Sequence, residues 1–375
     1  METPITTSIS REAIRDFVSN TIIPNALQFD LEQSIPEEVF RQLAEMGILG
    51  CQIPAEYGGL ELDNQTLLMV HEELGRGYCS LQNYITVIGM FCKPLIKFGT
   101  VSQKKEWLPL IAKGAIIPAI AITEPNIGSD IKEMETSALP KGDFFVLNGI
   151  KKYITLAQIA DVFMVAARCE GRGVVFLIEK DTPGFEIRPI NDLLGLRANR
   201  LGELHFNNCV IPTQNLVGAI GKGLTHVISY ALDEGRFTTA CGCVGLGQAC
   251  LDEALNYATS RKQFKLLLKD HQLIRKMLTE MIVQVEASRK LCESAASARD
   301  EKDPSAINKS LIAKYYASKM ATLAANYAVQ IRGASGCTVE SPAQRYYRDA
   351  KIMEIIEGAS QMYELYIPQS FTNTI

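Results

Sequence analysis

Near its C-terminus the chain reads MEIIEGASQM, residues 353–362, and places one carboxylate, Glu357, between two isoleucines and a glycine. A carboxyl held against apolar neighbours is desolvated, its pKa rises toward neutrality, and on a constrained turn it can act as a general base. The competing reading is a solvated glutamate at a helix end, with Gly358 in the left-handed position that stops the helix. A second stretch, IAITEPNIGSD at 120–130, gathers the backbone of Ile120 and Ile122, the hydroxyls of Thr123 and Ser129, and the bare Gly128. That set suits hydrogen bonding to a planar heteroaromatic ring and a phosphate, or else makes a well-capped turn. Tyr153-Ile154-Thr155 can flank the same group or simply end a strand.

Other nucleotide and nucleophile signatures fail on spacing. Gly245-Leu246-Gly247 has no third glycine and follows no strand, and Gly218-Ala219-Ile220-Gly221-Lys222-Gly223 lacks the Ser/Thr of a P-loop. No Gly-x-Ser-x-Gly elbow occurs, so a serine hydrolase has no support. The ten cysteines form no CxxC pair and the four histidines are dispersed, which leaves no metal site and points to buried, reduced thiols.

With 375 residues, 47% hydrophobic and 21% charged, the chain can bury a large core in two or three units. A net charge of −4 without a basic block argues against nucleic acid and against a membrane surface. The start, METPITTSISREAIRDF, lacks the charged start and apolar run of a signal peptide, and no stretch is apolar enough to span a bilayer. A cytoplasmic protein is expected.

Three regions must position these groups. From residue 8 to about 117 apolar residues recur at helical spacing, as in Ile14, Phe17, Val18 and Ile22. Between about 118 and 222 come short β-rich runs such as DVFMVAA and GVVFLIE, with Asn148-Gly149 expected to form a hairpin turn and Pro183-Gly184 another break. This predicts a small antiparallel β unit. After Gly223 long helical periods return, one of them expected to begin at Asp303-Pro304 and run to about Ile331. Long helices with short connections predict a bundle.

Read together, ITEPNIGSD, GIKKYIT, DEGRFTTACGCVGLGQACLDEALNYATSRKQF, DHQL, QIRGASG and YRDAKIMEIIEGASQ follow the order and approximate spacing of the acyl-CoA dehydrogenase family, and PAEYGGL extends the resemblance toward the N-terminus. The resemblance implies an α+β fold: an N-terminal helical domain at 1–117, a middle antiparallel β domain at 118–222, and a C-terminal four-helix bundle at 223–375. It further implies bound FAD, a homo-oligomer (dimer or tetramer) that shares FAD across a subunit interface, an acyl thioester substrate, and an electron-transfer flavoprotein or oxygen as electron acceptor.

Residue by residue, the resemblance gives Ile120, Ile122, Thr123, Gly128 and Ser129 to the flavin and its diphosphate, and Tyr153, Ile154 and Thr155 to the other face of the ring. Tyr153 stands where many relatives have tryptophan. Arg261, Gln263 and Phe264 resemble the group that reaches a neighbouring subunit's FAD, a guanidinium being suited to a diphosphate. His271, Gln272, Gln330, Gly333, Ala334, Ala359 and Gln361 match further FAD contacts. Ser129, Asp233, Arg236 and Gly358 match substrate contacts, and Glu357 matches the base that removes the α proton. The branch resembling isovaleryl-CoA dehydrogenase carries its base on a helix instead, at the position of Gly235. Glu234 is one residue off, turned by about 100° around a helix.

The phrases YRDAKIMEIIEGASQMYEL, ACGCVG, DHQL and SLQNYITVIGM are most similar to carrier-protein-dependent dehydrogenases that make hydroxymalonyl or methoxymalonyl extender units for polyketides. Lys265 and Asn199 replace the glycine and serine common among relatives. Three functions follow as expectations: oxidation of a small acyl group on an acyl carrier protein, ordinary short-chain acyl-CoA dehydrogenation, and a flavin-free binding subunit of the same fold. A yellow or colourless purified protein separates the last from the other two.

Overall fold

The computed structural model describes residues 9–372. The first eight residues, part of the segment read above for a leader, and the last three lie outside the described residues. Six helices come first: α1 (Arg11–Phe17), α2 (Ala26–Glu32), α3 (Glu37–Glu45), α4 (Asn64–Gly77), α5 (Cys79–Phe98) and α6 (Val101–Ala112). Helix α5 is buried along Cys79–Cys92, and some of its buried polar side chains find partners inside, as Gln82 does with His71 and Thr86.

Seven strands follow: β1 (Pro118–Ala121), β2 (Ser137–Lys141), β3 (Phe144–Ile154), β4 (Val162–Cys169), β5 (Arg172–Glu179), β6 (Phe185–Pro189) and β7 (Gly202–Pro212). They form one sheet in the order β1-β4-β2-β3-β7-β6, with β5 paired to β4. Most pairs are antiparallel, as expected, but β1 and β2 pair with β4 in parallel. Asn148-Gly149 is not the expected hairpin turn. Strand β3 runs through it, the register against β7 shifts between Leu147 and Gly149, and Gly149 takes φ 148 to form a bulge against Thr136. The hairpin turn lies earlier, at Gly142 (φ 61).

The C-terminal part is helical: α7 (Ser229–Ser260), a two-stranded hairpin β8–β9 (Lys262–Gln263 and Leu266–Leu267), α8 (Gln272–Asp300), α9 (Ala306–Arg332), α10 (Pro342–Ile355) and α11 (Ser360–Thr372). Helix α9 begins at Ala306 after Ser305, later than Asp303-Pro304 suggested, because Asp303 Oδ1 instead accepts from Ser305 N at 2.7 Å in a turn ahead of the helix. Helix α7 is the axis of the molecule and packs on α4, α5, α8, α9 and α10. Its run TTACGCVGLG is helix rather than a nucleotide loop. A side chain at Gly245 would overlap the α4 backbone at Glu72, so the glycine lets two helices cross backbone against backbone.

Candidate active site

Helix α10 ends at Ile355, Ile356 turns extended, and Glu357 takes the left-handed conformation at φ 57. A non-glycine residue there costs free energy and persists where its surroundings over-determine it. Here two hydrogen bonds do so. The Tyr363 hydroxyl of α11 donates to Glu357 O at 2.8 Å, and Lys314 Nζ of α9 donates to Met353 O at 2.8 Å. The segment between Glu357 and the helix is therefore tied at both ends.

Glu357 is partly exposed as a residue, but its Oε2 is sealed from solvent and has no hydrogen-bond partner. Burial pushes its carboxyl up to about 7, against the opposing pull of Arg236 and Lys314. A carboxyl titrating near neutrality with a free lone pair can accept a proton. Beside it α7 presents Gly235, where an added Cβ would lie 2.7 Å from Glu357 Cδ and 2.7 Å from Met90 Sδ of α5. The Glu357 carboxyl thus rests on bare helix backbone. Among the described residues the N–H groups of Glu357 and Gly358 make no hydrogen bond and remain available as donors to an oxyanion.

Glu234, next to Gly235, is buried and faces elsewhere. It accepts from Gln52 Nε2 at 2.7 Å and pairs with Arg299 of α8 at 2.5 Å. Burial opposes its ionisation, but the Arg299 and Lys93 charges hold it below the usual carboxylate range. Asp233 pairs with the same Arg299 at 2.6 Å and keeps a buried, unpartnered Oδ1. Arg236 likewise has a buried Nε without a partner.

The expected flavin contacts fall into two groups. In the first, Ile120 and Ile122 are buried at the end of edge strand β1, and Thr123 O accepts from Lys152 N at 2.9 Å. The turn after them is anchored by Glu124, buried, which pairs with the fully buried Lys151 at 2.7 Å and accepts from Thr136 N at 3.0 Å. Gly128 faces open space and Ser129 is exposed. Tyr153, at φ 59, holds its ring 57% exposed, and Ile154 is buried while Thr155 is partly exposed. Asn199 is only 3% exposed, and its O accepts from Leu156 N at 3.0 Å while its Oδ1 stays buried without a partner. Open donors, an exposed aromatic plane and an orphaned amide fit a heteroaromatic group bearing phosphates.

The second group lies at the other end of α7. Arg261 and Gln263 are exposed, and Phe264 and Lys265, at φ 49 and 66, form the two-residue turn of the β8–β9 hairpin. Two residues with positive φ define a type I′ turn, which explains why glycine is favoured where Lys265 stands. Phe264 is 90% exposed. His271 Nε2 lies 3.1 Å from Gln263 O and caps α8 without a side-chain bond, so the first N–H groups of α8, starting at Gln272, are free for an anion. Gln330, Gly333 and Ala334 are exposed at the end of α9, which packs on α7 through Arg332 and Tyr257. Along α7, Gly235 and Arg261 are separated by about 39 Å at about 1.5 Å per residue. The hairpin therefore stands far along α7 from Gly235 and the Glu357 turn beside it. Ala359 and Gln361 follow Glu357 closely in the chain, just before and within the first turn of α11.

Lys314, Tyr363, Lys151 and Arg299 were not anticipated. Lys314 had a signal in the sequence: it follows Leu311 by three residues and so shares the apolar face of its helix. Arg299 had none, because its acidic partners are 65 residues and more away.

Three family models, the N-terminal, middle and C-terminal domains of acyl-CoA dehydrogenase, match residues 6–115, 119–209 and 221–370. The short-chain specific mitochondrial acyl-CoA dehydrogenase of Rattus norvegicus is 36% identical over 373 residues, covering 98% of this chain and 90% of that protein. The butyryl-CoA dehydrogenase of Megasphaera elsdenii superposes with a TM-score of 0.93 at 30% identity, covering 99% of both chains. FkbI, for biosynthesis of the methoxymalonyl extender unit of the Fk520 polyketide, superposes with a TM-score of 0.88 at 28% identity, covering 97% of this chain and 99% of that one. By these matches, together with a fold of helical, β and helical parts in that order, the chain belongs to the acyl-CoA dehydrogenase family of FAD-dependent oxidoreductases.

Proposed function

We propose that Glu357 removes the α proton of a short acyl thioester, and that this proton transfer is the chain's own contribution to a dehydrogenation. The observation that carries the proposal is the buried, unpartnered Oε2 of Glu357 on a doubly tied left-handed turn. The Cα–H bond breaks, the proton goes to Glu357, and its electron pair becomes part of the new carbon–carbon double bond. FAD, when bound, supplies the two-electron acceptor for the hydrogen leaving the next carbon. The free N–H groups of Glu357 and Gly358 are available to the thioester carbonyl as negative charge develops on its oxygen.

Thr123, Ser129, Tyr153 and Thr155 would hold the flavin end of the cofactor. Arg261, Gln263 and Phe264 stand about 39 Å along α7 from the base, at about 1.5 Å per residue, so in this reading they serve the cofactor of a second copy of the chain. The Phe264 ring, 90% exposed with only the edge of His271 near it among the described residues, supports that assembly.

A second reading places the acyl group on a carrier protein, as the likeness to FkbI favours; the higher identity to the short-chain enzyme of rat favours coenzyme A. Anaerobic mixing with short acyl groups, each presented on coenzyme A and on a carrier protein, tests both. Bleaching of the flavin by the coenzyme A thioesters supports the short-chain reading, and bleaching by carrier-bound hydroxyacyl groups alone supports the second. A protein purified without flavin would refute both.

A further inference from the structure

Of the buried ionisable groups that the base reading leaves unused, Lys314 is the one whose charge acts on Glu357. Lys314 is fully buried in α9 and, among the described residues, makes no ion pair. Its Nζ donates to Met353 O at 2.8 Å and stands 5.5 Å from the centre of the Tyr363 ring. Met353 is in the last turn of α10, where carbonyls have no partner within the helix. A hydroxyl or an amide would satisfy that carbonyl at far less cost than a desolvated ammonium. The choice of a charge therefore needs a reason beyond the hydrogen bond.

The surroundings supply one. The charged and titratable groups that act on Lys314 are Cys243 and Arg236 of α7, Glu354 of α10 and Glu357 on the turn, with Tyr363 of α11 under it. The charges that act on Glu357 are those of Arg236 and Lys314, and its carboxyl acts in turn on the Tyr363 hydroxyl. Tyr363 joins the two residues: its ring lies beneath the ammonium and its hydroxyl holds the carbonyl of the base. We infer that Lys314 is a positioning residue for Glu357, fixing the last turn of α10 through Met353 and holding a positive charge beside the base so that a buried carboxylate stays ionised at working pH. This rests on Glu357 being the base. Without the charge, burial would act on the carboxyl with only Arg236 to oppose it.

The test is the pH profile of anaerobic flavin reduction by rapid mixing, with butyryl-CoA or its carrier-bound counterpart as the reductant. Lys314→Gln keeps a donor for Met353 O and removes the charge, and Lys314→Met removes both. Both variants should retain flavin while the ascending limb of the profile moves up by about one pH unit. Lys314→Arg should return the limb toward its original position. Tyr363→Phe loosens the turn without changing charge, and should lower the rate with the limb unmoved. A limb that stays in place in Lys314→Gln, whatever happens to the melting temperature, reduces the lysine to a structural donor and overturns the inference. Glu357→Gln separates the two claims. If that variant still reduces flavin, the base assignment fails and takes this inference with it; if it is inert while the Lys314→Gln limb is unmoved, this inference alone fails.

Discussion

Gly235 and Glu357 compete for one volume: a Cβ added to the glycine would stand 2.7 Å from the Cδ of the carboxylate. A base carried on helix α7 at position 235 and a base carried on the turn after α10 would therefore occupy the same space. In this chain the helix gives way and the turn fills the gap.

Gly235→Ala should push the carboxylate aside without touching the flavin contacts. A displacement on the order of 1 Å lowers the rate about 100-fold. Stopped-flow flavin reduction checks this, with the flavin-to-protein ratio unchanged as the control.

The pKa of Glu357, raised from 4.5 to about 7 by burial, has consequences of opposite sign for activity and stability. Below about 7 the base is protonated, so the reduction rate should fall tenfold per pH unit as pH drops. For stability, the folded chain holds this proton longer than the unfolded chain does. The group's contribution is then fully present below pH 4.5 and is lost as pH rises to about 7. Glu357→Gln removes the titration, so it should raise the melting temperature at pH 8 and leave it unchanged at pH 4.5. Calorimetry at both values checks the sign.

Arg299 carries two buried or half-buried carboxylates, Asp233 and Glu234. Arg299→Met should destabilise the fold by about 3–5 kcal/mol, the usual effect of orphaning a buried charge. The shift of the denaturation midpoint measures it. Further replacing Glu234 with Gln should recover part of the loss, since the uncompensated charge is then gone.

Arg261→Ala should weaken flavin retention while leaving Glu357 and its turn intact. The ratio of flavin to protein after dialysis is the readout, and an unchanged ratio would remove the hairpin from the cofactor site.

Much of this site is written in local sequence, and the rest depends on partners far along the chain. Glu357 stands out because its apolar neighbours and Gly358 are adjacent to it. The three-part order of helices, strands and helices follows from changes of period. Asn148-Gly149 misleads because two residues typical of a turn also suit a bulge, and only the pairing of β3 with both β2 and β7 decides between them. The glycines of ACGCVGLG become intelligible only when α4 is seen lying across them. Lys314 and Lys151 are charges inside the molecule, and each is explained by a group brought to it by folding: Met353 O 39 residues on, Glu124 27 residues back.

The central claim is that Glu357 takes the α proton, and its most direct measurement is anaerobic rapid mixing of Glu357→Gln with the thioester that bleaches the unaltered enzyme. The account predicts a yellow protein with normal flavin content whose absorbance does not bleach. Bleaching at a rate near that of the unaltered enzyme would contradict it and would mean that another group removes the proton.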